Sequence, residues 1–213
     1  METIQQSFDL TGRVAVVTGG PGLLGKEFCR TLAEAGAAVV VVDINAAGCA
    51  AVAESLAAQG YQALSAPTDI TQPEAVQKMV QMTLSTFGRL DILVNSAALD
   101  PKFDPQHIGP GSSGAFEDYP LESWKQALDV NLTGMFLCCQ ASVKAMLALG
   151  KGAIINICST YGLAGPDQRI YEKPGQPKRY KPVYYTVTKA GVLGMTKYLA
   201  TYYGEQNIRV NAL

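Results

Sequence analysis

The sequence predicts an α/β protein: a doubly wound parallel sheet with helices on both faces, in three layers. Short apolar runs alternate with longer segments of helical periodicity along the chain. That order favours parallel strands joined by right-handed helical crossovers. A glycine-rich turn, Gly20-x-Gly22-x-x-Gly25, follows the first apolar run and precedes the first helical segment. The 213 residues suffice for one domain, and no internal repeat or boundary divides them.

Six runs are predicted to be strands, because each is short, apolar and bounded by turn residues. They are residues 13–18, 38–43, 61–66, 91–95 and 153–158, and a sixth run that starts at Asn207. The stretch 96–120 is a long irregular loop, and loops of that length are usually functional or disordered. Residues 166–182 form a second loop.

Helices are predicted in the intervals between the strands. They cover residues 26–37, 45–60 and 71–88, a segment from about Leu121 and a segment from Pro182. In the first, Leu24, Phe28 and Leu32 recur every four residues, which predicts one buried face. The third begins with Thr71 as a capping residue, three residues before Glu74.

Composition excludes several classes of protein. The net charge of −1 gives no electrostatic footprint for nucleic acid. The apolar runs are too short to span a bilayer, and the N-terminus lacks the layout of a signal peptide. Five cysteines form no CxxC pair, and a single histidine rules out a His-rich metal site. We expect a soluble cytoplasmic protein without a metal.

The glycine turn matches the dinucleotide fingerprint of a Rossmann fold in its required strand–turn–helix setting. Glycines let the backbone approach a pyrophosphate, whose charge lies at the helix N-terminus. Asp43, at the end of the second predicted strand, can accept hydrogen bonds from an adenosine ribose and would repel a 2′-phosphate. NAD is therefore favoured over NADP. The alternative is that Asp43 is an ordinary strand-end turn residue.

Tyr185 and Lys189 are the candidate chemical pair. Four residues apart on a predicted helix, their side chains leave the same face one turn apart. A nearby ammonium favours the phenolate, which lets a tyrosine exchange protons with an alcohol or carbonyl oxygen. Of the ten tyrosines, only Tyr185 has a lysine at i+4. Taken alone, the pair could also be solvated residues on an exposed helix.

These features and others resemble one family in their order along the chain. The chain resembles a short-chain dehydrogenase/reductase over nearly its whole length. The matching elements are Thr18-Gly19 and the glycines after it, Asp69-Ile70, Asn95-Ser96-Ala97-Ala98, Asn131 in VNLTGMF, Ser159 in INICST, Tyr185 with Lys189, and IRVNAL at the end.

The resemblance implies an NAD-dependent oxidoreductase of alcohols or carbonyl compounds, with sugars and other polyols as candidate substrates. It implies that Tyr185 is the general acid/base and that Lys189 lowers its pKa and holds the nicotinamide ribose. It also implies that Ser159 orients the substrate oxygen and that Asn131 holds a water in a proton relay. The implied cofactor contacts are Gly19, Gly20, Gly22, Leu23, Leu24, Asp43, Ile44, Asp69, Ile70, Asn95, Ala97, Tyr185 and Lys189. A homo-oligomer, dimer or tetramer, is implied through the helices from about Leu121 and Pro182.

The chain departs from the family pattern in four places. The glycine spacing resembles the extended branch that acts on nucleotide sugars, and Ser96 and Ala98 replace an Asn and a Gly. Ser159 and Tyr185 are separated by an unusually long segment, in which five basic residues face two acidic ones. We expect residues 1–213 to form a single dinucleotide-binding domain with the catalytic site, lacking the usual C-terminal substrate-loop region.

Three functions remain open from these departures. The first is the NAD-dependent oxidoreductase, and its basic segment is either an anionic-substrate site or a solvated loop. The second is a nucleotide-sugar epimerase or dehydratase that recycles its NAD, as the glycine spacing suggests. The third is a non-catalytic NAD-binding protein.

Overall fold

Six parallel strands form one sheet in a computed structural model that describes residues 4–100 and 114–213. The strands are β1 (Val14–Thr18), β2 (Ala38–Asp43), β3 (Ala63–Pro67), β4 (Ile92–Asn95), β5 (Gly152–Asn156) and β6 (Ile208–Ala212). Their order is β3-β2-β1-β4-β5-β6, and each neighbouring pair is parallel. The predicted doubly wound parallel sheet is confirmed, with strand ends within a residue or two of the predicted ones.

Helices connect the strands. They are α1 (Ile4–Ser7), α2 (Leu23–Glu34), α3 (Ala46–Ala58), α4 (Pro73–Phe87), α5 (Leu121–Leu128), α6 (Met135–Leu149) and α7 (Val183–Tyr202). A π-helical turn, Asp129–Gly134, joins α5 to α6 without a break. The second predicted loop contains a short 3₁₀ turn, Gln168–Tyr171. Most of the first predicted loop, residues 101–113, lies outside the described residues.

Alternate residues of β1, β2 and β4 supply two separate cores, because successive side chains leave opposite faces of a sheet. Val16 of β1 packs in the same core as Met146 of α6, on one face. Val17 packs in the other core with Cys29 of α2 and Cys49 of α3. The α4, α6 and α7 helices therefore cover one face and α2 and α3 the other, which confirms the three layers.

The stretch Leu121–Leu149 is, by length and composition alone, apolar enough to cross a membrane. The second half of this stretch is α6, however, which packs against the sheet. Cys138, Val143 and Met146 are buried in the core against the sheet. Packing against the sheet accounts for this apolar character.

Two local predictions were wrong. Leu24 is exposed rather than buried, because α2 turns its small residues Gly25, Cys29 and Ala33 toward the sheet. Thr71 does not cap α4; its hydroxyl instead donates to Oδ1 of Asp69 at 2.7 Å, in a tight turn before the helix. A short polar side chain can satisfy a neighbouring turn as readily as a helix end.

The chain reverses its winding direction between β1 and β4. From β1 it proceeds outward to β2 and β3, and from β4 it proceeds outward on the other side to β5 and β6. In open α/β sheets, the crevice outside the carboxyl ends of the strands at such a point is where ligands bind. Thr18 and Asn95, the last residues of β1 and β4, are register partners at this edge.

Candidate active site

The turn between β1 and α2 has the shape that a pyrophosphate requires. Gly19 has a φ of +69°, and a Cβ there would lie 2.8 Å from the Cα of Ala97. A Cβ on Gly25 would overlap the carbonyl oxygen of Gly19. Gly22 precedes α2 without a side-chain cap, so the amide groups of the first turn are left for a ligand. These residues fit the pyrophosphate of a dinucleotide.

The same turn is hydrogen-bonded to β2, the strand that ends in Asp43, the residue predicted to bind the adenosine ribose. The amide of Gly20 donates to the carbonyl oxygen of Val42 at 3.1 Å. Asp43 ends β2, and its Oδ1 accepts a hydrogen bond from the amide of Asn45 at 2.9 Å. Leu23 and Leu24, which follow this turn, and Ile44, which follows Asp43, are exposed apolar side chains. The predicted adenosine side of the site therefore offers one carboxylate and uncovered apolar groups.

The structure brings Asp69 and Ile70 to the end of β3 but gives them internal partners. Oδ1 of Asp69 accepts hydrogen bonds from both the amide and the hydroxyl of Thr71. The Ile70 side chain is buried in the core. A Cβ on Gly134 would lie 2.7 Å from Ile70, so the π-helical turn packs closely on this residue.

A buried polar chain supports the central strands beneath the crevice. Nδ2 of Asn95 donates to Oδ1 of Asn156 at 2.9 Å, and Nδ2 of Asn156 donates to the hydroxyl of Thr196 at 2.9 Å. The Thr18 hydroxyl accepts the amide hydrogens of Ser96 and Ala97. Asn95 therefore ties β4 to β5 and α7, whereas sequence reasoning did not identify Asn156, Thr196 or the Thr18 hydroxyl.

Tyr185 and Lys189 lie one turn apart on α7, as predicted, and Ser159 lies three residues after the end of β5. Nζ of Lys189 is 5.7 Å from the centroid of the Tyr185 ring and donates to the carbonyl oxygen of Ile157 at 2.7 Å. Ser159 caps the turn Thr160–Gly162, where its hydroxyl accepts the amide hydrogen of Tyr161.

Asn131 occupies the π-helical turn, where it is buried. Its Oδ1 accepts the amide hydrogen of Leu99 at 2.7 Å, and its Nδ2 donates to the carbonyl oxygen of Leu99 and the hydroxyl of Thr188. Asn131 and Lys189 both line a small cavity of about 10 Å³, close to the smallest volume that holds one water molecule. The Asn131 side chain therefore links the segment after β4 to α7, beside a cavity that can hold one water molecule.

The electrostatics of Tyr185 differ from the prediction. Burial raises the pKa of Tyr185 above its ordinary value, the Ser159 hydroxyl opposes this by hydrogen bonding, and Asp100 raises the pKa further. Burial also lowers the pKa of Lys189. Burial outweighs any lowering of the Tyr185 pKa by nearby cations, and the Lys189 ammonium donates its hydrogen bond to the Ile157 carbonyl oxygen.

A second lysine lies closer to Tyr185. Nζ of Lys181 is 3.7 Å from the centroid of the Tyr185 ring and 2.5 Å from Oδ1 of Asp100. On another side, the ring of Tyr161 meets that of Tyr185 edge-on at 6.2 Å, and the Tyr161 hydroxyl is 2.9 Å from that of Tyr171. Sequence reasoning identified the basic segment but none of these contacts.

The chain is similar to known dehydrogenases. A family model described as short chain dehydrogenase matches residues 13–213. The chain is 39% identical over 205 residues to a 3-alpha-(or 20-beta)-hydroxysteroid dehydrogenase of Mycobacterium tuberculosis, across 96% of this chain and 68% of that protein. It is 33% identical over 211 residues to a D-threitol dehydrogenase of Mycolicibacterium smegmatis, across 99% of this chain and 72% of that protein. A solved structure of NAD+-bound xylitol dehydrogenase superposes with a TM-score of 0.79 at 29% identity, covering 95% of this chain and 69% of that one.

Proposed function

The chain belongs to the short-chain dehydrogenase/reductase family and is an oxidoreductase of CH–OH groups that uses a nicotinamide dinucleotide; from this premise we propose that it transfers hydride between NAD(H) and a neutral alcohol. One observation supports the proposal most strongly. The Tyr185 and Lys189 pair and Ser159 adjoin the carboxyl ends of the central strands, the side of the sheet where the uncapped glycine turn lies. Tyr185 and a bound nicotinamide would therefore meet one C–OH group, where Tyr185 exchanges the proton of its oxygen and the nicotinamide would exchange the hydride of its carbon.

The side chains divide the reaction between them. A bound nicotinamide would supply the carbon that accepts or donates hydride. Tyr185 takes the hydroxyl proton in alcohol oxidation and returns it in carbonyl reduction. The Ser159 hydroxyl lowers the pKa of the Tyr185 phenol, so we propose that it orients the substrate oxygen at the same point. Lys189 would hold the nicotinamide ribose, and a water in the cavity beside Asn131 and Lys189 would complete the path for the proton.

We propose NAD(H) as the cofactor because of Asp43. A carboxylate at the end of β2 can accept both ribose hydroxyls, whereas it would lie against the extra charge of a 2′-phosphate. Asp43→Asn should weaken NADH binding roughly 10- to 100-fold, since hydrogen bonds to a charged group contribute about 1.5–3 kcal/mol. The same change should reduce the preference for NADH over NADPH. Dissociation constants for both cofactors, measured by quenching of protein fluorescence, test this.

Glu54→Gln is the matched control for Asp43. It removes an exposed carboxylate from α3 and should leave both dissociation constants unchanged. Wild-type protein that binds NADPH as tightly as NADH would contradict the role proposed for Asp43.

The proposed substrate is neutral, because most cations of the basic segment already have carboxylate partners in the protein. Three of its five cations form ion pairs: Arg169 with Asp167 at 2.6 Å, Lys178 with Glu172 at 3.2 Å, and Lys181 with Asp100 at 2.5 Å. The hydroxyls of Tyr161 and Tyr171 and the Lys181–Asp100 pair lie around Tyr185, which suits a substrate with several hydroxyl groups. The similarity to a D-threitol dehydrogenase supports a polyol.

An NAD-coupled screen tests the function directly. Polyols, a steroid alcohol and hydroxy acids are each offered with NAD+, and every polyol is paired with its phosphate ester. We expect NADH formation with a polyol, and a lower kcat/KM for its phosphate. A phosphate ester that is the better substrate would restore the anionic-substrate hypothesis and contradict this proposal.

The two other functions are not favoured. The relatives reported above are dehydrogenases, although the glycine spacing resembles that of enzymes acting on nucleotide sugars. A non-catalytic role would leave unexplained why Ser159, Tyr185 and Lys189 adjoin the same strand ends. Net NADH production in the screen would exclude a recycled cofactor.

We further propose a soluble cytoplasmic homo-oligomer without nucleic-acid or membrane partners. The outer faces of the α6 and α7 helices carry exposed apolar side chains, among them Phe136, Leu147, Val187 and Tyr198. Such faces are typical of subunit contacts. Four of the five thiols are buried and all five are unpaired, as suits a reducing compartment. Light scattering of the purified protein measures the oligomeric state.

A further inference from the structure

The ammonium of Lys181 lies on the proton-transfer residue itself. Its Nζ is 3.7 Å from the Tyr185 ring centroid, nearer than that of Lys189 at 5.7 Å. The Lys181 side chain is 9% exposed and forms its ion pair with the half-exposed Asp100. A desolvated cation over an aromatic ring interacts more strongly than one in water.

The chain fixes Lys181 in this place through its backbone. Oε1 of Gln168 accepts the amide hydrogen of Lys181 at 2.9 Å, and Nε2 of Gln168 donates to the Lys181 carbonyl oxygen at 3.2 Å. Pro182 follows immediately and precedes the first turn of α7, which carries Tyr185. The long segment between β5 and α7 therefore places Lys181 against the ring of Tyr185.

The two charges of the pair act on Tyr185 in opposite directions. When the phenol loses its proton, the negative charge spreads over the ring, so a cation on the ring face stabilises the phenolate more than the phenol. A carboxylate nearby disfavours the phenolate. Asp100 does raise the pKa of Tyr185, and its carboxylate is paired with the Lys181 ammonium.

We propose that Lys181 and Asp100 are positioning residues that together tune proton transfer by Tyr185, with Lys181 favouring loss of its proton and Asp100 opposing it. The proposal rests on the proposed function and deepens it, because it names two residues that adjust the acid/base Tyr185. The proposal also explains the unusually long segment before α7. That segment places a second cation, Lys181, beside Tyr185, whereas the Lys189 ammonium donates to the Ile157 carbonyl oxygen.

Other groups around Tyr185 in the described part of the chain enter the same balance. Ser159 lowers its pKa, while Cys158 and Tyr161 raise it. The remaining ionisable groups that act electrostatically on Tyr185 or contact its ring are Tyr171, Tyr184 and Lys189. All of these are the same in every variant below, so differences among the variants report the pair alone.

Substitutions of the two partners should shift the pH profile in opposite directions. Lys181→Met leaves Asp100 alone beside the phenol, and the apparent pKa in kcat/KM should rise by roughly one unit, the low end of the effect of a nearby charge. Asp100→Asn leaves Lys181 alone, and the apparent pKa should fall by a similar amount. The double variant should lie between them, and Lys181→Arg should restore the wild-type profile. The profiles are measured for alcohol oxidation at saturating NAD+.

Lys178→Met is the matched control. It removes another ion-paired lysine from the same segment, one that is exposed and bound to Glu172, and it should leave the profile unchanged. Shifts of the same sign in Lys181→Met and Asp100→Asn, or no shift in either, would overturn the proposal. A purely structural role for the pair predicts loss of activity in both without opposed shifts.

A second measurement needs no turnover and separates this proposal from the proposed function. Ultraviolet titration of each variant, minus the same variant carrying Tyr185→Phe, reports ionisation of Tyr185 alone. Opposed shifts in this titration support the pair even when no alcohol is oxidised, in which case only the proposed function fails. Oxidation of an alcohol without shifts in the titration overturns the pair alone.

Discussion

Tyr185→Phe should reduce kcat for alcohol oxidation by about 10²–10⁴-fold, the usual contribution of a positioned general acid/base. The substitution removes one hydroxyl and keeps the ring, so the edge contact with Tyr161 and the cation contact with Lys181 remain possible. Binding of NADH should weaken by no more than about tenfold, because a single hydrogen bond contributes roughly 1 kcal/mol. Steady-state kinetics and a direct binding titration measure the two quantities.

The matched control is Tyr198→Phe. Tyr198 is on the same helix, and its exposed ring stacks on that of Tyr202. Its loss should leave kcat unchanged. A Tyr185→Phe enzyme with more than a tenth of the wild-type kcat would show that another group moves the proton, and the assignment of the acid/base would be wrong.

Gly25→Ala should nearly abolish cofactor binding and also destabilise the fold. The new Cβ would overlap the carbonyl oxygen of Gly19, which is backbone and cannot rotate away. The turn must therefore shift, at a cost in unfolding free energy of about 1–3 kcal/mol. Such a shift also displaces the amide groups that receive the pyrophosphate, so we expect NADH affinity to fall roughly 100-fold or more, about 2.7 kcal/mol. Thermal melting with and without NADH measures both effects.

Gly194→Ala is the control for adding a methyl group to a helical glycine. No heavy atom lies within 4 Å of a Cβ at this position on the exposed side of α7. It should stabilise the protein by about 0.5–1 kcal/mol, because alanine is the better helix former, and leave NADH binding unchanged. If Gly25→Ala melts and binds NADH like the wild type, the tight approach of α2 to the turn is not needed.

The fold and the cofactor turn could be predicted because their signals are local. The valine run of β1 and the glycines after it dictate a strand, a tight turn and a helix within a few residues. Tyr185 and Lys189 were likewise identified from their spacing of one helical turn. Where local chemistry alone decides, the sequence is sufficient.

Other parts of the site depend on contacts between distant segments. Asp100 and Lys181 are 81 residues apart, and no periodicity relates them. The bond between Asn95 and Asn156 joins two strands whose register only the assembled sheet defines. The direction of the Lys189 ammonium depends on the Ile157 carbonyl, so its expected effect on the Tyr185 pKa could not be judged from spacing.

The π-helical turn that carries Asn131 fixes the number of residues between α5 and α6. A π turn holds one residue more than an α turn, so α5 and α6 are out of phase with each other by that residue. Deleting one residue between Asp129 and Gly134 would remove the extra residue, and α5 and α6 would merge into one continuous α-helix whose two halves keep their faces. Only the side chains inside the turn would change direction, so the Asn131 amide would lose its bonds to Leu99. We therefore expect such a deletion to disturb the site while α5 and α6 stay packed as before.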